Sequence, residues 1–341
     1  REEIIRKTKK FNPDLLFVTT ATNYVKNANR IGRAIRKIKP VLTVAGGFHP
    51  TIAPQETIEQ DCFDIVCIGE GEGAVLDLVR GLEKGKLRTN FKNLWFKKNG
   101  KIIKNPIRHL VEDLDSLPFP DREIYDYEKY LEWNHGTATF ITTRGCPFHC
   151  THCINHFLAK LYQGKGKYVR SRSVNNIFSE IKEVLGKYGK KIKNIEFYDD
   201  TFTLNKKRVE EFCEHYPKEI GIPFNVNARV NTTSEKMFKM LKKAGCVRVS
   251  MGVEFRENFI RNTILRREMT GKQLIETFKW AKQVGLKTYS FNMVGIPFET
   301  KESIQKTIKL NRIIKPDYVG VSIFNAFKGT EAYDLVKKNG W

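Results

Sequence analysis

Short apolar runs alternate with amphipathic helical stretches along most of this chain, and that alternation limits its possible folds more than any other feature. Leu15–Ala21, Val41–Ala45 and Ile65–Ile68 each read as a buried strand. Between them, residues 24–38 put Val25, Ala28, Ile31 and Ile35 on one helical face before Pro40, and a second helix is expected from about Ala74 to Leu82. After residue 136 the alternation resumes, with strands expected at about 137–143, 193–199, 223–230, 246–253, 287–294 and 318–324. Buried strands joined by helices build parallel sheets covered by those helices. Six such units fall short of the roughly 250 residues of a closed eight-fold barrel, so a partly open barrel is expected there. The first section fits a doubly wound α/β domain whose first βα unit lies upstream of Arg1. The missing initiator Met agrees with an absent N-terminal piece.

Local signals place the element ends. Ser173 is expected to cap a helix whose inward stripe is Val174, Ile177, Phe178, Ile181, Val184, Leu185 and Tyr188. Ser234 can cap a helix ending at Gly245, and Thr300 one that stops before Pro316. Residues 86–135 read differently. Asn99-Gly100 between Leu94–Lys98 and Lys101–Lys104 predicts a hairpin, and Leu117-Pro118-Phe119-Pro120-Asp121 an extended connector. The expected domains are therefore 1–85, a linker with a hairpin at 86–135, and 136–341.

Basic residues number 60 against 38 acidic ones, a net charge of +22 that raises nucleic-acid binding as a candidate. The excess is spread over Lys-rich helix faces with no aromatic stripe, so a nucleic-acid partner is not expected. No apolar run approaches the roughly 20 residues of a membrane span. With no signal core either, a cytoplasmic location is expected.

The seven cysteines suit a reducing compartment better than a disulfide framework. Cys62, Cys67, Cys213 and Cys246 read as small core residues. Cys146-Pro-Phe-His-Cys150-Thr-His-Cys153 is different. Its thiolates, spaced x3 and x2 after a strand end, can hold three corners of a four-iron, four-sulfur cluster and leave one iron open to an external ligand. Zinc is the alternative, because His149, His152 and His156 stand nearby. However, no second Cys pair completes a tetrahedral site, and the histidines read as loop residues.

In this setting the motif resembles that of the radical S-adenosylmethionine (SAM) superfamily. Other segments over residues 136–341 agree. Glu196-Phe-Tyr198-Asp199-Asp200 is similar to the segment bordering the SAM amino group. Ser250-Met-Gly252-Val-Glu254 is similar to the one beside the ribose. Val294-Gly295-Ile-Pro297 is similar to the turn approaching adenine, and Gly329-Thr330 to the closing pair. The resemblance implies SAM contacts at Tyr198, Asp199, Asp200, Arg229, Glu254, Gly295 and Pro297. Carboxylates at strand ends can hold an ammonium group and ribose hydroxyls, and Arg229 a carboxylate. Each has a structural alternative: helix capping for the aspartates, a buried Glu254–Arg229 ion pair, and a simple tight turn at Gly295. The sequence departs from the family at His152, at Phe255-Arg256 and at Ala326-Phe-Lys328.

The first domain also carries a resemblance. Gly46-Gly47-Phe48-His49-Pro50-Thr51 and Gly69-Glu70-Gly71-Glu72 look like the cobalamin-binding domain of the cobalamin-dependent radical SAM subfamily. That implies cobalamin contacts at Thr19, Gly46, Gly47, His49, Gly69, Glu70 and Gly71, beyond the strand ends where open sheets bind ligands. There is no Asp-x-His-x-x-Gly motif to supply a histidine ligand to cobalt. Gly69-x-Gly71-x-x-Ala74 has the form of a dinucleotide fingerprint, but Glu70 and Glu72 would repel a pyrophosphate.

The resemblance implies a cluster that cleaves SAM reductively to a 5′-deoxyadenosyl radical, with cobalamin serving methylation of an unactivated carbon. It further implies a small-molecule substrate and an electron donor such as flavodoxin or ferredoxin. The alternatives are radical cyclisation or rearrangement without cobalamin, a methylthiotransferase, and a basic zinc-containing nucleic-acid binder.

Overall fold

The structure is a computed structural model that describes residues 2–85 and 87–341. Lys86, where the expected linker begins, lies outside the described residues. The chain divides into two compact units. One runs to Leu110 and takes in His152–Gly166 and Ala326–Trp341; the other comprises Val111–Thr151 and Lys167–Asn325.

The first unit holds a five-stranded sheet in the order β1-β2-β3-β4-β5. Strands β1 (Leu15–Thr19), β2 (Leu42–Gly46) and β3 (Ile65–Cys67) are parallel. Around them lie α1 (Glu2–Phe11), α2 (Val25–Arg36), α3 (Phe48–Ile52), α4 (Pro54–Glu59) and α5 (Glu72–Glu83). The expected hairpin is present as β4 (Leu94–Lys98) and β5 (Lys101–Lys104), with Asn99 and Gly100 both at positive φ. Here the structure differs from the expected linker. β4 pairs antiparallel with β3, so the hairpin extends the first sheet and buries Leu94 and Phe96 against its core. Pairing satisfies the backbone groups that β3 would otherwise leave open at an edge.

The second unit begins with α6 (Tyr127–Trp133) and β6 (Thr137–Phe140). A two-residue antiparallel pair follows, β7 (Thr143–Arg144) with β8 (Arg170–Ser171). Between these two strands the chain runs through α7 (Ile154–Leu161), which belongs to the first unit. The repeat then continues as α8 (Val174–Tyr188), β9 (Asn194–Phe197), α9 (Lys206–Glu219), β10 (Phe224–Ala228), α10 (Glu235–Lys243), β11 (Cys246–Glu254), α11 (Gly271–Gln283), β12 (Lys287–Val294), α12 (Lys301–Ile314) and β13 (Tyr318–Ile323). The last helix, α13 (Glu331–Lys338), lies in the first unit. Ser173, Ser234 and Thr300 cap α8, α10 and α12 through their hydroxyls, as their positions in the sequence predict.

The large sheet runs β13-β12-β11-β10-β9-β6, all parallel, and curls into the expected half-barrel. Ile195, Phe197, Phe224, Val226, Val249 and Met251 face the helices, where they meet Ile177, Phe178, Phe212, Phe238, Leu274 and Phe278. Burying each such side chain stabilises the fold by about 1.5–3 kcal/mol. Alternate strand residues face the other way and are polar. Glu196 there accepts hydrogen bonds from Asn225 Nδ2 and Arg248 Nη2, each at 2.7 Å. The strand ends are thus rigid supports for whatever the loops carry.

Candidate active site: the cysteine loop and the strand ends

Cys146 and Cys150 lie on the loop after β7, which is pinned at both ends. At its start, the Asp199 carboxylate accepts four hydrogen bonds. Thr142 N, Thr143 N and Thr143 Oγ1 donate to Oδ1 at 2.7, 2.6 and 2.8 Å, and Thr142 Oγ1 donates to Oδ2 at 2.7 Å. Arg208 Nη1 reaches Thr142 Oγ1 at 2.7 Å. At its end, Thr151 Oγ1 donates to the Ile264 carbonyl at 2.6 Å. Asp199 is 1% exposed and wholly engaged by the loop, whereas Tyr198 is 58% exposed and Asp200 is also exposed.

Charge around the thiols is arranged for anions. Arg229 Nη1 donates to Cys150 Sγ at 3.2 Å, and the guanidinium lies 3.9 Å over the Phe148 ring. Arg229 Nε donates to Asn231 Oδ1 at 2.8 Å. Burial and the neighbouring Arg267 pull the Arg229 pKa down, against the opposing pull of Cys150. Burial pushes the Cys146 thiol up, while the Phe148 backbone N–H and the Thr201 side chain oppose it. Cys153 is the N-cap of α7, where the helix dipole favours a thiolate.

Glu254 ends β11 at φ +58°, beside a bulge at Gly252, and is 8% exposed. Its partner is the half-buried Arg267, with Nη2 at 3.6 Å from Glu254 Oε1, so the alternative of a Glu254–Arg229 pair is not what forms. Burial pushes the Glu254 carboxyl up, against Arg267 and Arg229. Arg267 also donates to the Gly252 carbonyl at 3.1 Å. Sequence reasoning missed Arg267. It follows an irregular loop after a π-helix at Phe259–Ile264, where no periodicity marks it. Buried Arg229 and half-buried Arg267 both reach the Cys150 sulfur, at 3.2 and 3.8 Å, which suits a site that holds thiolates or a bound carboxylate, because buried charges need partners. Gly295 lies at φ +81° and is exposed, while Pro297 is buried. The Gly295 N–H points at both Glu299 oxygens, at 3.0 and 3.1 Å.

A cleft of ≈ 540 Å³ opens beside the loop, lined by Tyr198, Thr142, Thr143, Arg144 and the Leu117-Pro118-Phe119-Pro120 strap. Among the described residues, no three His, Cys, Asp or Glu side chains close around a single metal ion. A four-iron cluster instead takes its thiolates at separate corners. His149 is exposed, and His156 Nε2 lies 2.8 Å from Glu331 Oε1. The other four cysteines are packed in the cores, and burial pushes Cys67 up to about 11 and Cys213 to about 12.

In the first unit, Thr19 pairs in register with Gly46 at the carboxyl ends of β1 and β2, and Gly69, Glu70 and Gly71 follow β3. Gly47 has φ +96°, and a Cβ there would meet the Thr20 carbonyl at 2.9 Å. His49 lies in α3, facing inward. It is 3% exposed, with Nδ1 at 3.3 Å from Thr22 Oγ1 and Nε2 at 3.9 Å from Glu56. Burial pulls its pKa down. These residues stand at and beyond the carboxyl ends of the strands, where open sheets bind ligands, with the space over Gly47 and Gly69 taken by Thr20 and Tyr162 of the chain itself.

Residues 140–310 match the family model of the radical SAM superfamily, and residues 1–79 match that of the B12 binding domain. An uncharacterized methyltransferase of Pyrococcus horikoshii is 33% identical over 340 residues, covering 99% of this chain and 72% of the relative. The chain belongs to the radical SAM superfamily. It carries that family's SAM-cleaving barrel together with a B12-binding domain, and the corresponding cofactors are a four-iron cluster, SAM and cobalamin. The anaerobic magnesium-protoporphyrin IX monomethyl ester cyclase of Rubrivivax gelatinosus is 28% identical over 346 residues, and the match spans 97% of this chain but 60% of that enzyme. The radical SAM methyltransferase TsrM from Kitasatospora setae, solved with tryptophan and a SAM analogue, shares the fold at a TM-score of 0.82. It is 15% identical, covering 99% of this chain and 67% of that one. Among the described residues no helix is long and apolar enough to cross a membrane.

Proposed function

We propose that this radical SAM enzyme methylates an unactivated carbon of a small molecule in a cobalamin-dependent reaction. The observation that supports this most is the presence in one chain of a B12-binding domain and the three-cysteine loop, shared along nearly its full length with a methyltransferase relative. When bound, the cluster supplies the electron that cleaves SAM to methionine and a 5′-deoxyadenosyl radical, and cobalamin supplies a methyl carrier.

The chain's own residues would hold and orient these groups. Cys146, Cys150 and Cys153 are the cluster ligands, and Arg229 steadies the Cys150 sulfur. Tyr198, Asp200, Glu254, Gly295 and Pro297 border SAM, while Asp199 acts from behind by fixing the loop. Thr19, Gly46, Gly47, His49, Gly69, Glu70 and Gly71 form the cobalamin edge, with His49 packed behind it. The cleft under the Leu117–Pro120 strap would receive the substrate. A cytoplasmic flavodoxin or ferredoxin would supply the electron. The cyclase relative favours one second reading, radical cyclisation.

The test is anaerobic reconstitution with iron, sulfide and hydroxocobalamin, then desalting and an absorption spectrum. A shoulder near ~400 nm with corrinoid bands is expected. SAM and a reductant should then yield 5′-deoxyadenosine, and label from methyl-labelled SAM should reach the product. Label-free product with deoxyadenosine formed would favour cyclisation. Cys153→Ser that still forms deoxyadenosine would falsify the cluster assignment.

A further inference from the structure

Helix α7 carries the third cysteine of the cluster motif, yet it is built into the first unit. Cys153 is its N-cap, and Tyr162 follows its last residue. At the helical rise the two are about 13 Å apart. Tyr162 is 3% exposed. Its hydroxyl accepts the Glu70 backbone N–H at 2.6 Å. The end of its ring fills the space a side chain at residue 69 would need: Gly69 has φ +74°, and a Cβ there would overlap the Tyr162 hydroxyl.

The Gly69–Glu70 loop is held from two further sides. The Gly69 N–H donates to Thr51 Oγ1 at 3.0 Å, and the Glu70 carbonyl accepts from Asn93 Nδ2 at 2.9 Å. α7 itself is braced by α13. Lys160 Nζ lies 3.2 Å from Glu331 Oε1, which also meets His156, and a Cβ at Gly329 would come within 2.6 Å of Phe157. A single short helix thus joins the Cys153 N-cap to the loop that grips its C-terminal end. Gly69, the first glycine of the segment that imitates a dinucleotide fingerprint, serves here to seat a tyrosine.

Resting on the reading that this loop borders cobalamin, we infer that Tyr162 is a positioning residue that ties Cys153 to the cobalamin edge, so that cobalamin occupancy and cluster retention are coupled. A ligand that orders the Gly69–Glu70 loop orders the acceptor bound to it, and through α7 the Cys153 thiolate. Linkage makes the effect reciprocal: the cluster tightens cobalamin by the factor by which cobalamin tightens the cluster.

The experiment compares wild type with Tyr162→Phe, each reconstituted with and without hydroxocobalamin. Cluster loss to an iron chelator is followed near ~400 nm. Phenylalanine fills the same space but cannot accept the Glu70 N–H. In wild type, cobalamin should slow cluster loss about fivefold or more, and in Tyr162→Phe the ratio should fall towards about one. A merely structural role would speed loss equally with and without cobalamin and leave the ratio unchanged; that result overturns the inference. So does a wild-type cluster whose loss ignores cobalamin. Should Tyr162→Phe not fold, cobalamin titration of wild type with and without its cluster carries the test, and equal affinities overturn it. Failure of the underlying reading looks different, because a protein that takes up no corrinoid shows it in the desalted spectrum before any chelator is added.

Discussion

Replacing Asp199 by asparagine separates the two roles a strand-end carboxylate can have here. Three donors converge on Oδ1 and one on Oδ2, all from Thr142 and Thr143. Asparagine keeps the shape but offers one oxygen. Its amide nitrogen would face Thr142 Oγ1, which already accepts from Arg208. The substitution also removes the carboxylate that most favours the charge on Arg208, a guanidinium only 6% exposed. Removing one partner from a buried charged network costs about 3–5 kcal/mol. In a unit of this size that lowers the unfolding midpoint by roughly 10 °C. The assay is thermal unfolding of the cluster-free protein, followed by circular dichroism, with SAM binding measured well below the midpoint. Asp199→Asn should unfold early and, where folded, bind SAM with little loss. A variant that melts within about 2 °C of wild type while losing SAM affinity would refute the loop-clamp reasoning and make Asp199 a direct ligand.

Other expectations concern single positions. Glu254→Gln should weaken SAM binding yet stabilise the protein without SAM near about pH 8. A buried carboxyl with a raised pKa gains stability as pH falls through that pKa, so the advantage should vanish towards about pH 4; a melting difference independent of pH would contradict this. Gly47→Ala should cost about 1–3 kcal/mol in denaturant unfolding, because φ +96° with ψ −164° admits little but glycine and the Thr20 carbonyl blocks a Cβ. An unchanged unfolding midpoint would mean the turn relaxes freely. Thr300→Ala should cost about 1 kcal/mol through loss of the capping box on α12, with SAM affinity unaffected. A drop in SAM affinity of about tenfold would instead place this cap at the adenine turn.

Several features were readable because they depend on neighbours along the chain. The stripe from Val174 to Tyr188 predicts α8, and its Ser173 hydroxyl takes the Asn176 N–H at 3.1 Å. Asn99-Gly100 predicts a turn that needs only its own two residues. The cysteine spacing likewise carries its chemistry within eight residues. What stayed hidden depends on distant partners. The hairpin looked like a linker because its pairing with β3 leaves no local mark. His49 reads from the sequence as a cobalamin contact, and nothing beside it announces that Thr22 and Glu56 lie against its ring. Asp199 and Glu254 looked alike as strand-end acids. Only the structure separates one saturated by threonines from one facing Arg267.

By itself, then, the sequence determined the βα alternation, the helix caps and the three-thiol loop, all products of periodicity, side-chain chemistry and backbone preference over a few residues. Tertiary structure alone decided that Arg267 joins Glu254, that Asp199 clamps the cysteine loop, and that Tyr162 seats the helix of Cys153 beneath Glu70. Each of those contacts joins residues far apart in the chain. Their energies come from burial and from hydrogen bonds that exist only once the strands have set the distances.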